Sequence, residues 1–204
     1  MARDPHKDLL REISRIYREI DQKIVLFQLA TGIRCPSRCG VCCEKQTVEA
    51  TVVECLPVAN AIYRRGQEET TLSAIEEKMN QNDFRCVLFR PDKAIQGNGR
   101  CSYYRFRPLV CRLFGFAFRT NKFGNPELCL CRVAKESNPE ALEALEVGTS
   151  HGQNGPVYQH VYMRIASLKP DIGYRILPIN IALRHALEYL YWKRQSNLAL
   201  RKTA

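Results

Sequence analysis

The feature that most constrains this sequence is the nonapeptide CPSRCGVCC, which contains Cys35, Cys39, Cys42 and Cys43. Four thiols this close along a chain can converge on one centre, because short loops between ligands lower the entropy cost of assembling them. Gly40 is expected to let the backbone turn tightly between Cys39 and Cys42. The nonapeptide therefore predicts an irregular segment built around a thiolate site.

The chemistry open to the ten cysteines of this 204-residue chain depends on the cellular compartment. Its first residues, MARDPHKDLLREI, are charged throughout and lack the apolar centre of a secretory signal. No apolar run approaches the roughly 18 residues that a membrane span needs. We therefore expect a cytoplasmic protein with no membrane segment. Because thiols stay reduced in the cytosol, the cysteine spacing indicates a metal or redox function.

A second group of cysteines follows later in the chain, and it ends in the segment ELCLCR, which contains Cys129 and Cys131. No histidine lies within either group. Deprotonated thiols are soft ligands for zinc and for iron–sulfur clusters, so two separate groups predict one all-thiolate metal site. One of the last two cysteines is expected to be a ligand, with Cys129 preferred. The predicted ligands are Cys35, Cys39, Cys42, Cys43, Cys86, Cys101, Cys111 and Cys129.

A helix is predicted over residues 52–65, and it contains the tenth cysteine, Cys55. Thr51 and Glu54 have the spacing of a capping box at its start. Pro57 favours a later start or a bend, because proline cannot donate a helical hydrogen bond. Cys55 shares the apolar face of this helix, so we interpret it as a small buried hydrophobe and not as a ligand.

Helical periodicity dominates the rest of the chain. Apolar residues recur every three or four positions from Leu9 to Phe27, which predicts one long helix that ends at Thr31-Gly32. Further helices are predicted over 71–81, in SNPEALEALEVG, in GPVYQHVYMRIASLKP, and from Pro178 past Trp192.

The strand signal is confined to RLFGFAFR, where aromatic residues alternate before a turn at 121–124. The fold prediction is therefore mainly α: one domain, 1–204, of about six helices around a cysteine-rich irregular metal-binding centre with a short β-hairpin. The metal-binding core is expected to span 33–131, with flanking helices in 1–32 and 132–204.

Positive charge is concentrated in the same region. Residues 85–132 contain ten Lys and Arg against two acidic residues, which is +8 of the chain's net +10. A buried metal–thiolate centre is anionic and needs nearby cations or N–H donors. We expect Arg107 and Arg112 to compensate this charge. Phosphate binding to a nucleic acid, with aromatic residues stacking on bases, ranks second, and a solvated basic face ranks third.

The cysteine pattern resembles that of a known family. Cys35-x3-Cys39-x2-Cys42-Cys43, then Glu54, then Cys101-SYYRFRPLV-Cys111-Arg112 is similar to the cysteine-cluster domains described as zinc- or iron-chelating. The resemblance covers about residues 33–131 and implies metal binding by the paired clusters. The flagellin lysine methylases look similar in carrying a related cluster, there associated with an iron–sulfur centre. This chain differs in its final CLC, so Cys129 and Cys131 both remain candidates.

Two kinds of metal centre fit these observations. Iron–sulfur suits all-cysteine ligation, crowded aromatic residues and the methylase resemblance, whereas zinc suits a glycine-containing knuckle with a structural role. Iron–sulfur is preferred. We predict a metal-binding protein with a structural, metal-handling or redox role. The alternatives are a SAM-dependent methylase-like enzyme and a nucleic-acid-binding protein; a protein partner is compatible with each, and the sequence leaves open whether the chain is an enzyme.

Overall fold

Helices form most of the structure. It is a computed structural model and describes residues 5–45, 48–95, 97–146 and 155–202. The six strands found in these ranges are all short and pair two by two. The helices are α1 (Pro5–Thr31), α2 (Val41–Glu44), α3 (Val52–Tyr63), α4 (Glu68–Asn80), α5 (Leu109–Leu113), α6 (Arg132–Glu136), α7 (Pro139–Glu146), α8 (Tyr158–Ala166), α9 (Pro170–Gly173) and α10 (Ile179–Lys202). The strands are β1 (Glu49–Thr51), β2 (Phe89–Pro91), β3 (Gly99–Cys101), β4 (Ala117–Thr120), β5 (Pro126–Cys129) and β6 (Ile176–Pro178). The mainly α fold class is confirmed.

Helix α1 has the length and the buried face that its periodicity predicts. It ends at Thr31, where Gly32 takes a positive φ of 74° and turns the chain out of the helix. Its opposite face is charged, and Arg15 pairs there with Glu12 and Glu19. The buried face delivers apolar side chains to the shared core: Ile13, Ile16, Tyr17, Ile20, Ile24 and Phe27.

Helix α3 is the centre of the core and is buried along almost its whole length. The predicted capping box is confirmed: the Thr51 hydroxyl accepts from the Glu54 N–H, and Glu54 accepts from the Thr51 N–H. This box fixes the start of the helix at Val52, so the suggestion that Pro57 delays the start was wrong. Pro57 lies inside the continuous helix.

Helix α10 packs along α3 and completes the core. Its side chains Leu183, Leu187 and Leu190 are fully buried, and the Tyr63 hydroxyl donates to the Leu187 carbonyl at 3.1 Å. The strands that precede these two helices, β1 and β6, pair antiparallel. Three-residue strands show no alternation in a sequence, so this pairing was not predicted.

Two antiparallel hairpins belong to the cysteine-rich region and carry Cys101 and Cys129. The pair β4–β5 is the predicted hairpin, with its turn at 121–124. Its first strand starts at Ala117 and not at Arg112, because Leu109–Leu113 is helical and Gly115, at a φ of 87°, separates helix from strand. The pair β2–β3 was not predicted.

The remaining helices follow the predicted order with shifted bounds. Helix α4 starts three residues before the predicted 71, and α6 precedes the predicted α7. The end of SNPEALEALEVG lies outside the described residues. Among the helices of the described ranges, none combines the length and the apolar composition of a membrane span.

Candidate metal centre

Backbone hydrogen bonds join the first cysteine cluster to the hairpin β2–β3. The Gly40 N–H donates to the Gly97 carbonyl at 2.8 Å, and the Gly99 N–H donates to the Arg38 carbonyl at 2.9 Å. The chain continues from Gly99 to Cys101 at the end of β3. Two cysteine groups that are far apart in sequence are therefore held side by side.

Close packing around Phe89 makes this junction possible. A Cβ on Gly40 would lie 2.6 Å from Cε2 of Phe89, and a Cβ on Gly99 would lie 2.4 Å from the same atom. Gly40 has a φ of −111°, which any residue adopts. The backbone does turn at Gly40, where the Cys43 N–H donates to its carbonyl at 2.8 Å, but the glycine is required for space and not for its φ.

The two clusters line one cavity of about 690 Å³. Eight of the ten cysteines contribute to its walls, and all ten are reduced. Seven of these eight are ligands predicted from the sequence: Cys35, Cys39, Cys42, Cys43, Cys86, Cys101 and Cys111. The eighth is Cys55, which is fully buried on α3.

Cys42 lies at the centre of this group of thiols. It is close enough to Cys35, Cys43, Cys101 and Cys111 to raise the pKa of each. Its own pKa is lowered to about 7, first because the Cys43 thiol donates a hydrogen bond to it, and then because backbone N–H groups and Lys45 stabilise the thiolate. Cys42 is therefore the best preformed thiolate of the cavity.

The neighbouring thiols are held in the protonated form. Burial, followed by the nearby Cys39 thiol, raises the pKa of Cys35 to about 12, and burial raises the pKa of Cys86 to about 11. Burial also raises the pKa of Cys111 well above its usual value. A metal bound here would displace these protons, because thiolates and not thiols are metal ligands.

The thiols line the cavity but do not converge on one point at which a metal ion would be held. Within the part of the chain that the structure describes, no three Cys, His, Asp or Glu side chains are grouped closely enough to hold one metal ion. The donor set itself is soft and free of histidine, because every cysteine lining the cavity is a reduced thiol. It fits zinc or an iron–sulfur centre by its chemistry.

Arg112 is buried and fully engaged with the protein. It is 4% exposed, forms an ion pair with Asp21 of α1, and donates to the carbonyls of Arg107 and Arg105 at 3.0 and 2.7 Å. Its guanidinium lies 4.3 Å from the ring centre of Tyr17. Arg112 therefore fastens α5 to α1.

Arg107 also lines the cavity but keeps a free donor. Its guanidinium lies over the Tyr104 ring at 4.1 Å, and one nitrogen donates to the Tyr104 carbonyl. Its buried Nε has no hydrogen-bond partner among the described residues. Arg107 partly offsets the rise that burial causes in the pKa of Cys101. Its ion pair with Asp21 is long, at 3.7 Å, so Arg107 is less engaged with the protein than Arg112 and is the better placed of the two to face a thiolate.

Glu54 supports the cavity from behind. Its carboxylate is 1% exposed and, besides capping α3, accepts from the Val110 N–H at 3.3 Å. Burial raises the pKa of this carboxyl group above its usual value. Val110 precedes Cys111, so Glu54 positions the start of α5 and the thiol that α5 carries.

Cys129 and Cys131 lie elsewhere. Both line a second cavity of about 310 Å³. Neither is among the described residues that line the larger cavity. The Cys129 thiol faces the Glu127 carbonyl at 3.8 Å. The Cys131 sulfur accepts from the Ala134 N–H at 3.4 Å and is close enough to Cys35 to raise the pKa of that thiol.

Two asparagines that the sequence analysis missed hold cysteine-bearing segments. Asn138 accepts from the Arg34 N–H at 3.1 Å and donates to the Arg34 carbonyl at 2.9 Å, beside Cys35. Asn180 accepts from the Val87 N–H and donates to the Arg85 carbonyl, so it binds the backbone on both sides of Cys86. Their partners are about a hundred residues away, so no local pattern marks them.

Comparison with known proteins adds one finding. A family model named CxxCxxCC and described as "Putative zinc- or iron-chelating domain" matches residues 34–140. This span is just over half of the 204 residues and contains all ten cysteines. Neither the curated proteins nor the solved structures include a match to the chain.

Proposed function

Because the chain belongs to the CxxCxxCC family of zinc- or iron-chelating domains, we propose that it is a metal-binding protein whose cavity thiolates hold an iron–sulfur cluster. The ligands are drawn from five neighbouring thiols. Cys42 supplies the preformed thiolate and lies near Cys43, Cys101 and Cys111. Cys86 completes the set, because it lies near Cys101 and Cys111.

The observation that carries this proposal is the number of thiols that share one large cavity. A single zinc ion with bonds of about 2.3 Å draws four sulfur atoms to within about 4 Å of one another. Four ligands close a structural zinc site, whereas eight cysteines line this cavity. A cluster of several iron and sulfide ions accepts thiolates that lie farther apart than those around one ion, which favours iron–sulfur over zinc.

Charge supports the same assignment. An iron–sulfur cluster with four thiolates is anionic, and burying an anion requires donors close by. Arg107 lines the cavity and has a buried Nε without a partner among the described residues. We assign charge compensation to Arg107 and assign Arg112 to holding α5 on α1, since its donors already bind Asp21 and two carbonyls.

The first role of the centre in this proposal is to cross-link the fold. The elements that carry the inner cysteines are short: α2 has four residues, β3 has three and α5 has five. Helices and strands of this length are unstable alone, so linked metal binding would supply part of their folding energy. When bound, an iron–sulfur cluster also supplies one-electron redox chemistry.

Nucleic-acid binding is the second candidate, favoured by the exposed Arg34, Arg38 and Arg100 at the edge of the cavity. Of the aromatic residues that could stack on bases, Tyr103, Phe116 and Phe118 are buried in the core, which weakens this candidate, whereas Tyr104 and Phe114 are exposed. Methyl transfer depends on the resemblance to flagellin lysine methylases alone.

Anaerobic purification followed by metal and sulfide analysis tests the proposal. We expect a brown protein with iron and acid-labile sulfide in equal amounts. Colourless protein with stoichiometric zinc would replace the cluster with a zinc site, and protein with neither metal would refute metal binding. The variant Cys129→Ser is a matched control, because this cysteine lies outside the larger cavity and should leave the iron content unchanged.

A further inference from the structure

Arginine side chains without acidic partners lie where the larger cavity opens to solvent. Arg34, Arg38 and Arg100 line the cavity and are exposed, and they define what is called the mouth below. None of the three forms an ion pair with an acidic side chain of the described residues. Asp21, the acidic side chain of the described wall, already pairs with two other arginines. The positive charge of the mouth is therefore left uncompensated by the described part of the chain.

The backbone holds two of these arginines next to each other. The Gly99 N–H donates to the Arg38 carbonyl at 2.9 Å, and Arg100 follows Gly99 directly. Arg38 has a positive φ of 60°, which is uncommon for a residue other than glycine and persists only where the surrounding structure holds it. Two like charges that are kept close repel each other. An anionic group that binds at the mouth would relieve this repulsion.

An exposed apolar patch on α1 adjoins the mouth. Val25 lines the cavity and is 51% exposed, and Leu26 and Leu29 are 64% and 67% exposed. Val25 and Leu29 are four positions apart, so they share one face of the helix. The core already receives a different face of α1, which includes Ile24 and Phe27. Exposed apolar side chains that are grouped beside charged ones mark interaction sites, and these three are called the α1 patch below.

We propose that the mouth and the α1 patch together bind a partner protein that presents acidic side chains beside apolar ones. Protein interfaces combine an apolar centre with a polar rim and are enriched in arginine. The α1 patch supplies the apolar centre, and the arginines of the mouth supply part of the rim. Complementary charge selects an acidic partner. The inference goes beyond metal binding, because none of these residues is a ligand of the proposed cluster.

Other macromolecules fit this surface less well. In a twofold dimer each subunit offers the same patch, so a second copy of the chain would bring like charges together. A nucleic acid would bind the arginines through its phosphates but would not use the aliphatic patch, since such interfaces are polar and positively charged. Tyr104 is exposed, but the guanidinium of Arg107 covers its ring at 4.1 Å, so that face of the ring cannot stack on a base.

Peptide binding to the anaerobically purified protein tests the proposal. The probe is a fluorescent helical peptide of about 18 residues that is built from glutamate, with leucine recurring every three or four positions. One control peptide has lysine in place of glutamate, and another has serine in place of leucine. We expect the glutamate–leucine peptide to bind, to bind more weakly at high salt, and to bind more tightly than either control.

Variants of the protein locate the binding surface. Leu26→Ser/Leu29→Ser should weaken peptide binding about tenfold with the iron content unchanged. Arg38→Asn and Arg100→Gln should each weaken it about threefold, and asparagine is chosen at position 38 because it tolerates a positive φ. Arg175→Gln is the matched control. Arg175 is also exposed and forms no ion pair within the described residues, but it lies outside the described wall of the cavity, so this variant should bind as the wild type does.

The outcomes separate this surface from the metal centre and from other partners. No binding of the glutamate–leucine peptide refutes the proposal, as does binding that the leucine and arginine variants leave unchanged. Tighter binding of a single-stranded oligonucleotide of equal charge assigns the surface to nucleic acid and refutes it. Binding to phosphatidylglycerol vesicles without peptide binding assigns the surface to lipid and also refutes it. Peptide binding by a protein without iron or sulfide supports the surface and refutes the cluster.

Discussion

Asn180 of the last helix forms hydrogen bonds on both sides of Cys86. Its Oδ1 accepts from the Val87 N–H at 2.9 Å, and its Nδ2 donates to the Arg85 carbonyl at 3.0 Å. Asn180 is 3% exposed, so water cannot easily replace either bond. The helix that packs on α3 therefore also positions a thiol of the metal centre.

Asn180→Ala should separate position from ligation. The change leaves two backbone groups unsatisfied, at about 1–3 kcal/mol each for buried groups, and lets Cys86 move although its thiol remains. We expect a loss of about 2–3 kcal/mol in the free energy of unfolding and a lower iron content. Denaturant unfolding and metal analysis measure the two effects. If Asn180→Ala kept the iron content of the wild type, metal binding would not depend on the position that Asn180 gives Cys86.

Gly40→Ala should disrupt the junction between the clusters. The new Cβ would lie 2.6 Å from the Phe89 ring, and overpacking of this kind costs about 1–3 kcal/mol. The loss of stability should be accompanied by loss of metal. The double variant Gly40→Ala/Phe89→Leu is the control. Its smaller side chain at position 89 makes room for the Cβ, so it should recover part of the stability and part of the metal content. A Gly40→Ala protein with the stability of the wild type would contradict the packing argument.

The helices could be predicted because their signals are local. The apolar stripe of α1 and the capping box of Thr51 and Glu54 lie within a few residues of each other, and the structure confirms both. The hairpin β4–β5 was also predicted, although the helix at Leu109–Leu113 was missed. Five residues are too few for a helical period to emerge.

The arrangement of the site depends on contacts that no local pattern reveals. Gly97 pairs with Gly40, Asn180 holds Cys86, and Asn138 holds the residue before Cys35. Each contact joins segments that are distant in sequence. Spacing therefore indicated seven of the eight cysteines that line the cavity but not which of Cys129 and Cys131 lies near Cys35, because that depends on how α6 docks.

Replacing the two arginines should have different effects. Arg112→Ala removes the donor of two carbonyls and the nearer of the two arginines that pair with Asp21. We expect it to cost about 2–3 kcal/mol of stability, less than a fully buried ion pair because Asp21 is partly exposed. Arg107→Ala should lower iron retention with a smaller loss of stability, because its Nε has no protein partner among the described residues. Thermal unfolding and iron per chain distinguish them. Equal effects on both quantities would contradict the division of roles.

The segment before Cys86 should contribute stability that depends on pH. Asp83 pairs with Arg85 and Lys78, and these hydrogen bonds lower the pKa of its carboxyl group. Because the folded pKa is below the unfolded value of about 3.9, this contribution is present above pH 4 and is lost as the pH falls through the folded pKa. Asp83→Asn should therefore cost about 1 kcal/mol at pH 7 and nothing in strong acid. Urea unfolding at several pH values measures the difference, and a cost independent of pH would contradict it.

Cys55 and Cys111 both line the cavity, and their replacement should distinguish a wall from a ligand. Cys55 is fully buried on α3, and burial, with Glu54 beside it, raises the pKa of its thiol well above the usual value. It is a small hydrophobe, so Cys55→Ala should retain its iron and lose about 1 kcal/mol of stability.

Cys111 lies near the thiols of Cys86, Cys42 and Cys101. Cys111→Ser replaces a soft donor with a hard hydroxyl group that stays protonated. This variant should lose most of its iron and sulfide and should melt earlier than Cys55→Ala, since metal binding that is linked to folding is lost with the ligand. Both variants are purified in parallel without oxygen and analysed for iron, sulfide and thermal unfolding. An equal loss of iron in the two variants would make Cys55 a ligand, and iron retained by both would exclude Cys111 from the cluster.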